Sequence, residues 1–393
     1  MRRWIVGVIL GVGLVGCDSG ASEGVEEGSV DVVEPGPSED VLGGSEDAET
    51  GSGGDVQLRS EDVPGVEVDR FSPGVMPESL KGGGYIDSPF INKAGDRIYF
   101  IHSIFSPRVL DGSAAPDECS HVQVPQLPGH ATTPGLEWNT DIYYVEWNGA
   151  QWAEPTNLGA PINSLGMECC MWLNDDETEL IFNRVSDLDG DGKDGDMGLS
   201  PTGNYIATRA DRNASWSEPV PLPGAYGIQS QTTTEYRHDI HKAPSGNLYL
   251  WEKFNNGDIL LRFGARTGGT YSDPIYADPV TINGSTNYET QVWVNDSETQ
   301  LVFNHRQANG ETDLYTQKRA TKDEPWEPAT AVSLTGFTDS NGSAIWGEPS
   351  FDQSENFMVF VRFDTTEAKC WTPVLMVSPG NISSGFSTPT TLN

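Results

Sequence analysis

The chain repeats one pattern of apolar and polar positions: a short apolar segment, a polar turn, and a strongly apolar segment. The two clearest copies, ECCMWLNDDETELIFNR from Glu168 and ETQVWVNDSETQLVFNHR from Glu289, start 121 residues apart. Both place a Trp four residues after the Glu, and both run through Asn-Asp-x-Glu-Thr into Leu-[Ile/Val]-Phe-Asn. Two short strands around a polar turn form a β-hairpin, so each copy predicts one hairpin.

Three weaker copies and two further signatures complete the repeating unit. The weaker copies are DSPFINKAGDRIYF from Asp87, HDIHKAPSGNLYL from His238 and EPSFDQSENFMVF from Glu348. A third predicted strand follows each hairpin, at 141–147, 204–210, 258–263, 313–319 and 373–378. An aromatic residue with a nearby Pro then follows: Trp152/Pro155, Trp216/Pro219, Tyr271/Pro274, Trp326/Pro328 and Phe386/Pro389. Because Pro is tolerated on edge strands, this last signature predicts an outermost fourth strand.

The unit occurs five times, each with four short predicted strands, and no amphipathic helix lies between the units. This pattern predicts an all-β fold, a five-bladed β-propeller of four-stranded antiparallel blades. One such sheet cannot bury both of its faces, whereas a closed ring of sheets can. A sixth blade, built partly from residues 66–85 and the 103–139 insertion, is the alternative.

The repeats resemble the WD-like propeller repeats of TolB and of bacterial envelope lipoproteins. The resemblance covers about residues 80–393, and the stretch NGAQWAEPTNLGAPIN (148–163) is among its closest matches. The family's turn commonly reads Ser-Pro-Asp-Gly, whereas this chain has Asn-Asp-Asp-Glu-Thr, Asn-Lys-Ala-Gly or Ala-Pro-Ser-Gly. The resemblance implies the fold and leaves the function open, because propellers carry many unrelated activities.

The N-terminus is typical of an export signal. Arg2 and Arg3 precede an apolar run from Trp4 to Val15, which is too short to span a bilayer as a helix. The run ends in Leu-Val-Gly-Cys17, which resembles the lipobox of bacterial lipoproteins and implies lipidation of Cys17. We therefore predict a signal peptide at 1–17 and a location in the bacterial cell envelope, periplasmic or surface-exposed, with the lipid anchor as the only membrane contact.

Residues 18–65 have the composition of a solvated tether. They carry 14 Asp and Glu, a single Arg and no aromatic residue. Such a segment cannot bury enough apolar surface to fold, so the folded domain is predicted at 66–393. The net charge of −35 argues against nucleic acid as a partner, because phosphate contacts need clustered Lys and Arg.

A set of acids lies at about the same point of each repeat, at the entry to the innermost strand. Its members are Asp87, Glu168, Asp239, Glu289 and Glu348. Bases stand near the ends of the second strands, at Arg184, Lys253, Arg306 and Arg362. A ring of ion pairs would hold the repeat together. The alternative is catalysis, because five-bladed glycosidases of the arabinanase and levansucrase type use three carboxylates at the channel mouth; Asp87, Glu168 and Glu289 are the candidates.

The segment SDLDGDGKDGD (186–196) predicts a calcium loop between the second and third strands of blade 2. Asp187, Asp189 and Asp191 followed by Gly192 form the start of an EF-hand-type loop, in which carboxylate oxygens at alternating positions surround Ca²⁺. Gly198 stands where the usual Glu ligand would be, so Asp194 or Asp196 would complete a structural site.

Four cysteines besides Cys17 are predicted on the same face of the ring: Cys119, Cys169, Cys170 and Cys370. Disulfides persist in exported proteins. A Cys119–Cys370 bridge would join blades 1 and 5, and a bridge from Cys119 to Cys169 or Cys170 is equally compatible with the sequence. A metal site that includes His121 or His130 is a further alternative.

The chain contains no G-x-S-x-G, H-E-x-x-H or phosphate-binding Gly-rich motif. His238 and His241 flank Asp239 on a predicted inner strand, where a packed or hydrogen-bonded role is expected. The sequence therefore favours a non-catalytic binding or scaffold protein, with an envelope protein or glycan as ligand. In propellers, ligands usually bind on the face formed by the loops that enter the inner strands.

Overall fold

A computed structural model describes most of the chain between residues 70 and 392. The described ranges are 70–72, 75–80, 85–106, 114–115, 117–123, 126–130, 139–186, 201–228, 236–254, 259–267, 270–272, 275–276, 289–307, 311–352, 356–367 and 369–392. Cys17, the segment 18–65 and the predicted calcium ligands at 187–196 lie outside these residues.

The described residues form five antiparallel sheets of the predicted kind, and the five-bladed β-propeller is confirmed. The strands of each blade, from the innermost outward, have the following bounds. Blade 1 contains Tyr85–Ile91, Arg97–Ser103, Asp141–Glu146 and Thr156–Asn157. Blade 2 contains Met167–Leu173, Glu179–Val185, Gly203–Thr208 and Val220–Pro221. Blade 3 contains Tyr236–Lys242, Leu248–Lys253, Ile259–Gly264 and Ile275–Tyr276. Blade 4 contains Glu289–Val294, Gln300–Arg306, Thr312–Lys318 and Thr330–Ala331. Blade 5 contains Trp346–Phe351, Phe357–Asp364, Thr372–Asn381 and Thr390–Thr391.

A few short elements lie outside this pattern. Gly385–Phe386 also pairs with the third strand of blade 5, and Arg266–Thr267 pairs with Thr270–Tyr271 in a small ribbon. In the described part of the chain, 3₁₀ turns span Glu78–Leu80, Ser120–Val122 and Gly224–Tyr226. Among the described residues, no helix has the length and apolar character needed to cross a membrane.

The second strand of each blade carries the centre of the core. Its central aromatic or Leu residue has an exposed fraction of 0% in all five blades: Phe100, Phe182, Leu250, Phe303 and Phe360. Burial of one such side chain stabilises the fold by about 1.5–3 kcal/mol relative to exposure. The apolar second half of the sequence repeat therefore encodes the contact between neighbouring sheets.

The aromatic–Pro signature directly precedes the fourth strand in every blade. Trp216 and Trp326 lie under the guanidinium groups of Arg209 and Arg319, at 4.1 and 4.0 Å from ring centroid to Cζ. The Pro that follows stands one or two residues before a two-residue edge strand. Because Pro has no N–H to donate, its place before a short outer strand leaves the sheet hydrogen bonds intact.

The turn between the first two strands explains why blades 2 and 4 share the same sequence. Gly95 and Gly246 occupy the left-handed position of this turn in blades 1 and 3, with φ of 65° and 89°. Glu177 and Glu298 occupy it in blades 2 and 4, with φ of 55° and 54°. A side chain there is unfavourable by about 1 kcal/mol or more. In this protein both Glu side chains reach into the preceding blade, so the repeated Asn-Asp-x-Glu-Thr encodes a contact between blades.

The ring closes between blades 1 and 5. Their inner strands lie side by side, and the Ile91 amide donates to Ser350 Oγ at 2.9 Å. Cys119 and Cys370 form a disulfide across the same junction, which realises one of the pairings open from the sequence. Within the described parts of 70–84 and 104–140 there is no strand, so the alternative of a sixth blade is wrong.

Candidate functional site

Each inner strand is interrupted by a β-bulge at the same place. The strand register shifts there in all five blades, and the residue at the bulge has a left-handed backbone. These residues, with φ between 48° and 59°, are Ser88, Cys170, Asp239, Gln291 and Glu348. All five line a narrow space of about 70 Å³ inside the central channel.

The bulge has an energetic cost that the fold repeats in every blade. A non-Gly residue in a sparsely populated backbone region costs on the order of 1–3 kcal/mol, and such residues cluster at functional sites. A bulge also reorients a side chain that would otherwise alternate across the strand. The channel lining is therefore the first place to look for function.

Three carboxyl groups meet in the channel: Asp87, Asp239 and Glu348. Tyr85 donates its phenol proton to Asp87, and Trp251 Nε1 donates to Asp239. Burial raises the pKa of Asp87 to about 6. Burial and the neighbouring charge of Asp87 raise the pKa of Glu348 well above its ordinary value. A cation bound in the channel would oppose this rise, because it favours the charged form of the carboxyl group.

Asp239 differs from the other two carboxyl groups because it has a cationic partner. Its Oδ1 lies 3.3 Å from Nδ1 of His238. Burial opposes ionisation of Asp239, but the hydrogen bond and charge of His238 outweigh burial and lower its pKa. For His238, burial opposes protonation, whereas Cys170 in its thiolate form and the Asp239 carboxylate raise its pKa.

Two thiols lie beside these carboxyl groups. Cys169 Sγ and Cys170 Sγ are 2.6 Å apart, and they are 3.7 and 3.8 Å from Nε2 of His238. Burial raises the pKa of the Cys169 thiol to about 11 and that of Cys170 well above the ordinary range. Without a metal ion both thiols are mainly protonated at neutral pH, which slows their reaction as nucleophiles.

A cavity of about 590 Å³ opens at the end of the channel where the turns between first and second strands meet. Five aromatic side chains, one from the inner strand of each blade, surround it; we call them the aromatic collar. They are Phe90, Trp172, His241, Trp293 and Phe351. Neighbouring rings of the collar contact each other, with centroids 6.0 Å apart for Trp172–His241, 6.4 Å for His241–Trp293 and 5.0 Å for Trp293–Phe351.

Acidic and basic side chains form the rim of this cavity. Lys93 of blade 1 makes ion pairs with Asp175 of blade 2, at 2.7 Å, and with Asp296 of blade 4. Lys242 pairs with Glu179. Five acids line the cavity against these two lysines, so its mouth is polar and carries an excess of negative charge.

The cavity lies at the end of the channel opposite to the one expected from the sequence. The expected face carries the loops that enter the inner strands, and several of those loops lie outside the described residues. Among the residues that are described, the larger of the two spaces lies after the bulge, on the side where the inner strands carry the aromatic collar.

The acids aligned in the sequence do not all lie together. Asp87, Asp239 and Glu348 meet in the channel, whereas Glu168 pairs with Arg184 at 2.8 Å and accepts hydrogen bonds from Ser164. Burial raises the pKa of Glu168 to about 7 despite the Arg184 charge. Glu289 pairs through its backbone with His305, and its side chain lies outside the described set.

The predicted bases and histidines have other partners. Arg362 donates to the Thr338 carbonyl at 3.2 Å, and Arg306 is buried. The side chain of Lys253 lies outside the described set. His121 pairs with Glu367 at 2.7 Å, and His130 Nδ1 lies 3.3 Å from Asp141.

Sequence reasoning missed the cluster of Cys169, Cys170 and His238. It treated the cysteines as disulfide candidates and the histidine as a packed residue. The usable signal was their common place in the repeat, because the Cys pair of blade 2 and His238-Asp239 of blade 3 occupy the same two bulge positions.

No family model and no curated protein sequence matches the chain. Among solved structures, it is similar to TolB from Acinetobacter baumannii, with 10% identity and a TM-score of 0.38 over 77% of this chain and 53% of that one. The chain thus spans about half the length of that TolB. It is also similar to the GH43 BlXynB protein from Bacillus licheniformis, with 11% identity and a TM-score of 0.45 over 82% of this chain and 59% of that one. A third similar structure is an exo-1,5-alpha-L-arabinanase from a bovine ruminal metagenomic library, with 9% identity and a TM-score of 0.44 over 82% and 100% of the two chains. No functional conclusion follows from likenesses this weak.

Proposed function

We propose that this protein is a non-catalytic binding propeller, lipid-anchored in the bacterial cell envelope, that holds a glycan in the channel cavity. The observation that carries the proposal is the aromatic collar, to which all five blades contribute around about 590 Å³ of space. That volume lies in the range of small-molecule sites.

The lining offers both the apolar faces and the polar groups that a polyhydroxyl ligand needs. Trp172 and Trp293 offer flat apolar faces to the C–H faces of a sugar ring. The exposed carboxyl group of Asp176 on the rim can accept hydrogen bonds from sugar hydroxyls. The side chains of Asn174 and Asn295 line the same rim, but their amide groups mainly hold the turns that follow them.

A specific observation also favours a second candidate, a glycoside hydrolase. Asp87, Asp239 and Glu348 form a carboxyl trio with divergent pKa values, which acid–base catalysis uses. However, oxygens of Asp239 and Glu348 lie within 4.8 Å of one another, and the space beside them is about 70 Å³. A glycosidase holds its two carboxyl groups about 5–9.5 Å apart with a sugar between them, so this geometry supports binding better than hydrolysis.

One experiment separates the two candidates. The purified protein is titrated with soluble arabinan, xylan and peptidoglycan fragments while its tryptophan fluorescence, to which Trp172 and Trp293 of the collar contribute, is recorded. Released reducing ends are measured in the same samples. Saturable quenching by one glycan without new reducing ends supports the binding proposal. Release of reducing ends that an Asp87→Asn variant abolishes supports the hydrolase. Absence of both effects refutes the proposed function.

The anchor is a separate part of the proposal with its own test. Cys17 follows the lipobox-like Leu-Val-Gly, and labelled palmitate should enter the wild-type protein in bacterial cells. The Cys17→Ala variant should take up no label. Equal labelling of both proteins would refute the lipid anchor.

A further inference from the structure

The bulge of blade 2 places two cysteines side by side. Successive side chains of a regular strand point to opposite faces. Cys170 has a φ of 59° and the register shifts between Cys169 and Trp172, which brings both sulfurs to one side at 2.6 Å from each other. Both residues are buried, and neither belongs to the Cys119–Cys370 disulfide.

The imidazole of His238 is turned toward these sulfurs. Asp239 Oδ1 lies 3.3 Å from Nδ1, which leaves Nε2 on the side of Cys169 and Cys170 at 3.7 and 3.8 Å. Asp239 is itself held by Trp251 Nε1. Metal-binding histidines are commonly oriented in this way by a carboxylate on the other ring nitrogen.

A third carboxyl group lies at the edge of this cluster. A Glu348 carboxyl oxygen lies within 4.8 Å of Cys170 Sγ and of an Asp239 oxygen, and the residue is only 7% exposed. Ser88 and Asp87 are its nearest polar neighbours, and no donor meets Oε1 or Oε2 in hydrogen-bond geometry. A cation held by the two sulfurs and His238 would lie close to this buried group and would favour its charged form.

We propose that Cys169, Cys170 and His238 bind one Zn²⁺ ion in the channel, with Glu348 as a neighbouring carboxyl group. Two thiolates and one imidazole form a donor set that zinc accepts in tetrahedral geometry, with the fourth position open to water or another ligand. A sulfur and a nitrogen on one tetrahedral zinc are roughly 3.6 Å apart, close to the observed 3.7 and 3.8 Å. The two sulfurs would separate from 2.6 Å to roughly 3.8 Å on binding.

The surrounding charges and space agree with this site. Asp87, Asp239 and Glu348 add negative charge around the three donors, and a divalent cation offsets it. The space lined by Cys170 and Glu348 shares Trp172 and Trp293 with the large cavity. An ion can therefore reach the donors from the collar side of the channel. This inference does not depend on the identity of the ligand in that cavity.

Cobalt binding tests the site directly, because thiolate-bound Co²⁺ absorbs in the near ultraviolet and in the visible. The full-length protein is purified with a mild reductant, treated with chelator, and titrated with CoCl₂ and then ZnCl₂. We expect about one Co²⁺ per chain, with charge-transfer absorption that zinc abolishes. Cys169→Ser and Cys170→Ser should lose this absorption, and Glu348→Gln should weaken Co²⁺ binding about tenfold or more. The matched control His305→Gln, which changes a buried histidine in the second strand of blade 4, should bind Co²⁺ normally.

Thiol protection in the wild-type protein keeps the inference testable if the variants do not fold. With ZnCl₂ present, Cys169 and Cys170 should be alkylated by iodoacetamide at least several-fold more slowly than after chelation, as read by mass spectrometry. The site is refuted if the protein shows no thiolate-to-cobalt absorption, or if alkylation is independent of zinc. The site would also be refuted by a Cys169–Cys170 disulfide in protein isolated without reductant, together with a failure of the reduced protein to bind zinc.

Discussion

The phenol of Tyr249 in blade 3 donates a 2.8 Å hydrogen bond to Glu298, the residue in the left-handed position of the blade 4 turn. Asn247 donates to the same carboxylate oxygen at 2.8 Å. Blades 1 and 2 repeat the arrangement, because Tyr99 donates to Glu177. The repeated sequence thus joins blades in pairs, and its Glu is retained at a backbone position that favours Gly.

Glu298→Gly tests this contact between blades. Gly relieves the left-handed strain, which alone would stabilise the protein by about 1 kcal/mol. It also leaves the buried Tyr249 hydroxyl and Asn247 amide without their acceptor, at a cost of about 1–3 kcal/mol for each group. We expect a net loss of unfolding free energy in urea denaturation. The exposed neighbour Ser297→Gly is the control and should change stability little. A Glu298→Gly protein at least as stable as wild type would contradict the account.

The Cys119–Cys370 disulfide should stabilise the closed ring. It joins residues 251 positions apart at the junction of blades 1 and 5. Removal of a native disulfide typically costs about 2–5 kcal/mol. We expect the double variant Cys119→Ala, Cys370→Ala to melt at a lower temperature than wild type in scanning calorimetry. A reducing agent should lower the melting temperature of wild type and leave that of the double variant unchanged. Equal melting of both proteins without reductant would show that the bridge does not support closure.

His102 should make the protein sensitive to acid. It is buried, and burial together with the neighbouring His130 lowers its pKa from 6.5 to about 3. Because the folded state holds the imidazole neutral, its contribution is complete above the unfolded pKa and is lost as the pH falls toward the folded pKa. The expected loss is about 1.4 kcal/mol per pH unit.

The measurement is the free energy of unfolding from about pH 6 to about pH 4. His102→Gln should reduce the slope of stability against pH by most of that amount relative to wild type. His121→Gln, which changes a half-exposed histidine, should leave the slope unaltered. A His102→Gln slope equal to that of wild type would show that this histidine is not the sensitive group.

The Asp-rich loop of blade 2 carries the calcium proposal, and its ligands lie outside the described residues. We propose that Asp187, Asp189 and Asp191, with Asp194 or Asp196, bind Ca²⁺. A ligand that binds only the folded state stabilises it by about 2.7 kcal/mol at a concentration of 100 times Kd. Calcium should therefore raise the melting temperature, and replacement of the first three Asp residues with Asn should abolish the rise. Melting curves that coincide with calcium and with chelator would refute this site.

The fold was predictable because its information is repeated. Each repeat has its core residue, such as Phe182 or Phe303, and its edge-strand Pro at the same position, so five weak sequence signals support one another. The turn between the first two strands was harder to recognise, because two residue types, Gly95 and Glu177, occupy the same left-handed backbone position.

The site was less predictable because nothing in the sequence marks the bulge. Five different residue types occupy it, and no short motif is common to them. The sequence pattern assigns Glu168 and Asp87 to equivalent positions of the repeat, whereas the strand register makes Cys169 the equivalent of Asp87. A shift of one residue moves a strand side chain to the other face, which separates Glu168 and Arg184 from the channel acids.

The central claim is that the aromatic collar binds the ligand, and a comparison of two tryptophan variants tests it most directly. Trp293 belongs to the collar, whereas Trp326 stacks on Arg319 beside the outer strand of the same blade. Isothermal titration is carried out with the glycan that quenches wild-type fluorescence. The account predicts that Trp293→Ala weakens binding about tenfold or more, as expected when a central aromatic contact is lost, and that Trp326→Ala binds as wild type does. Unchanged affinity in Trp293→Ala, or an equal loss in both variants, would contradict it.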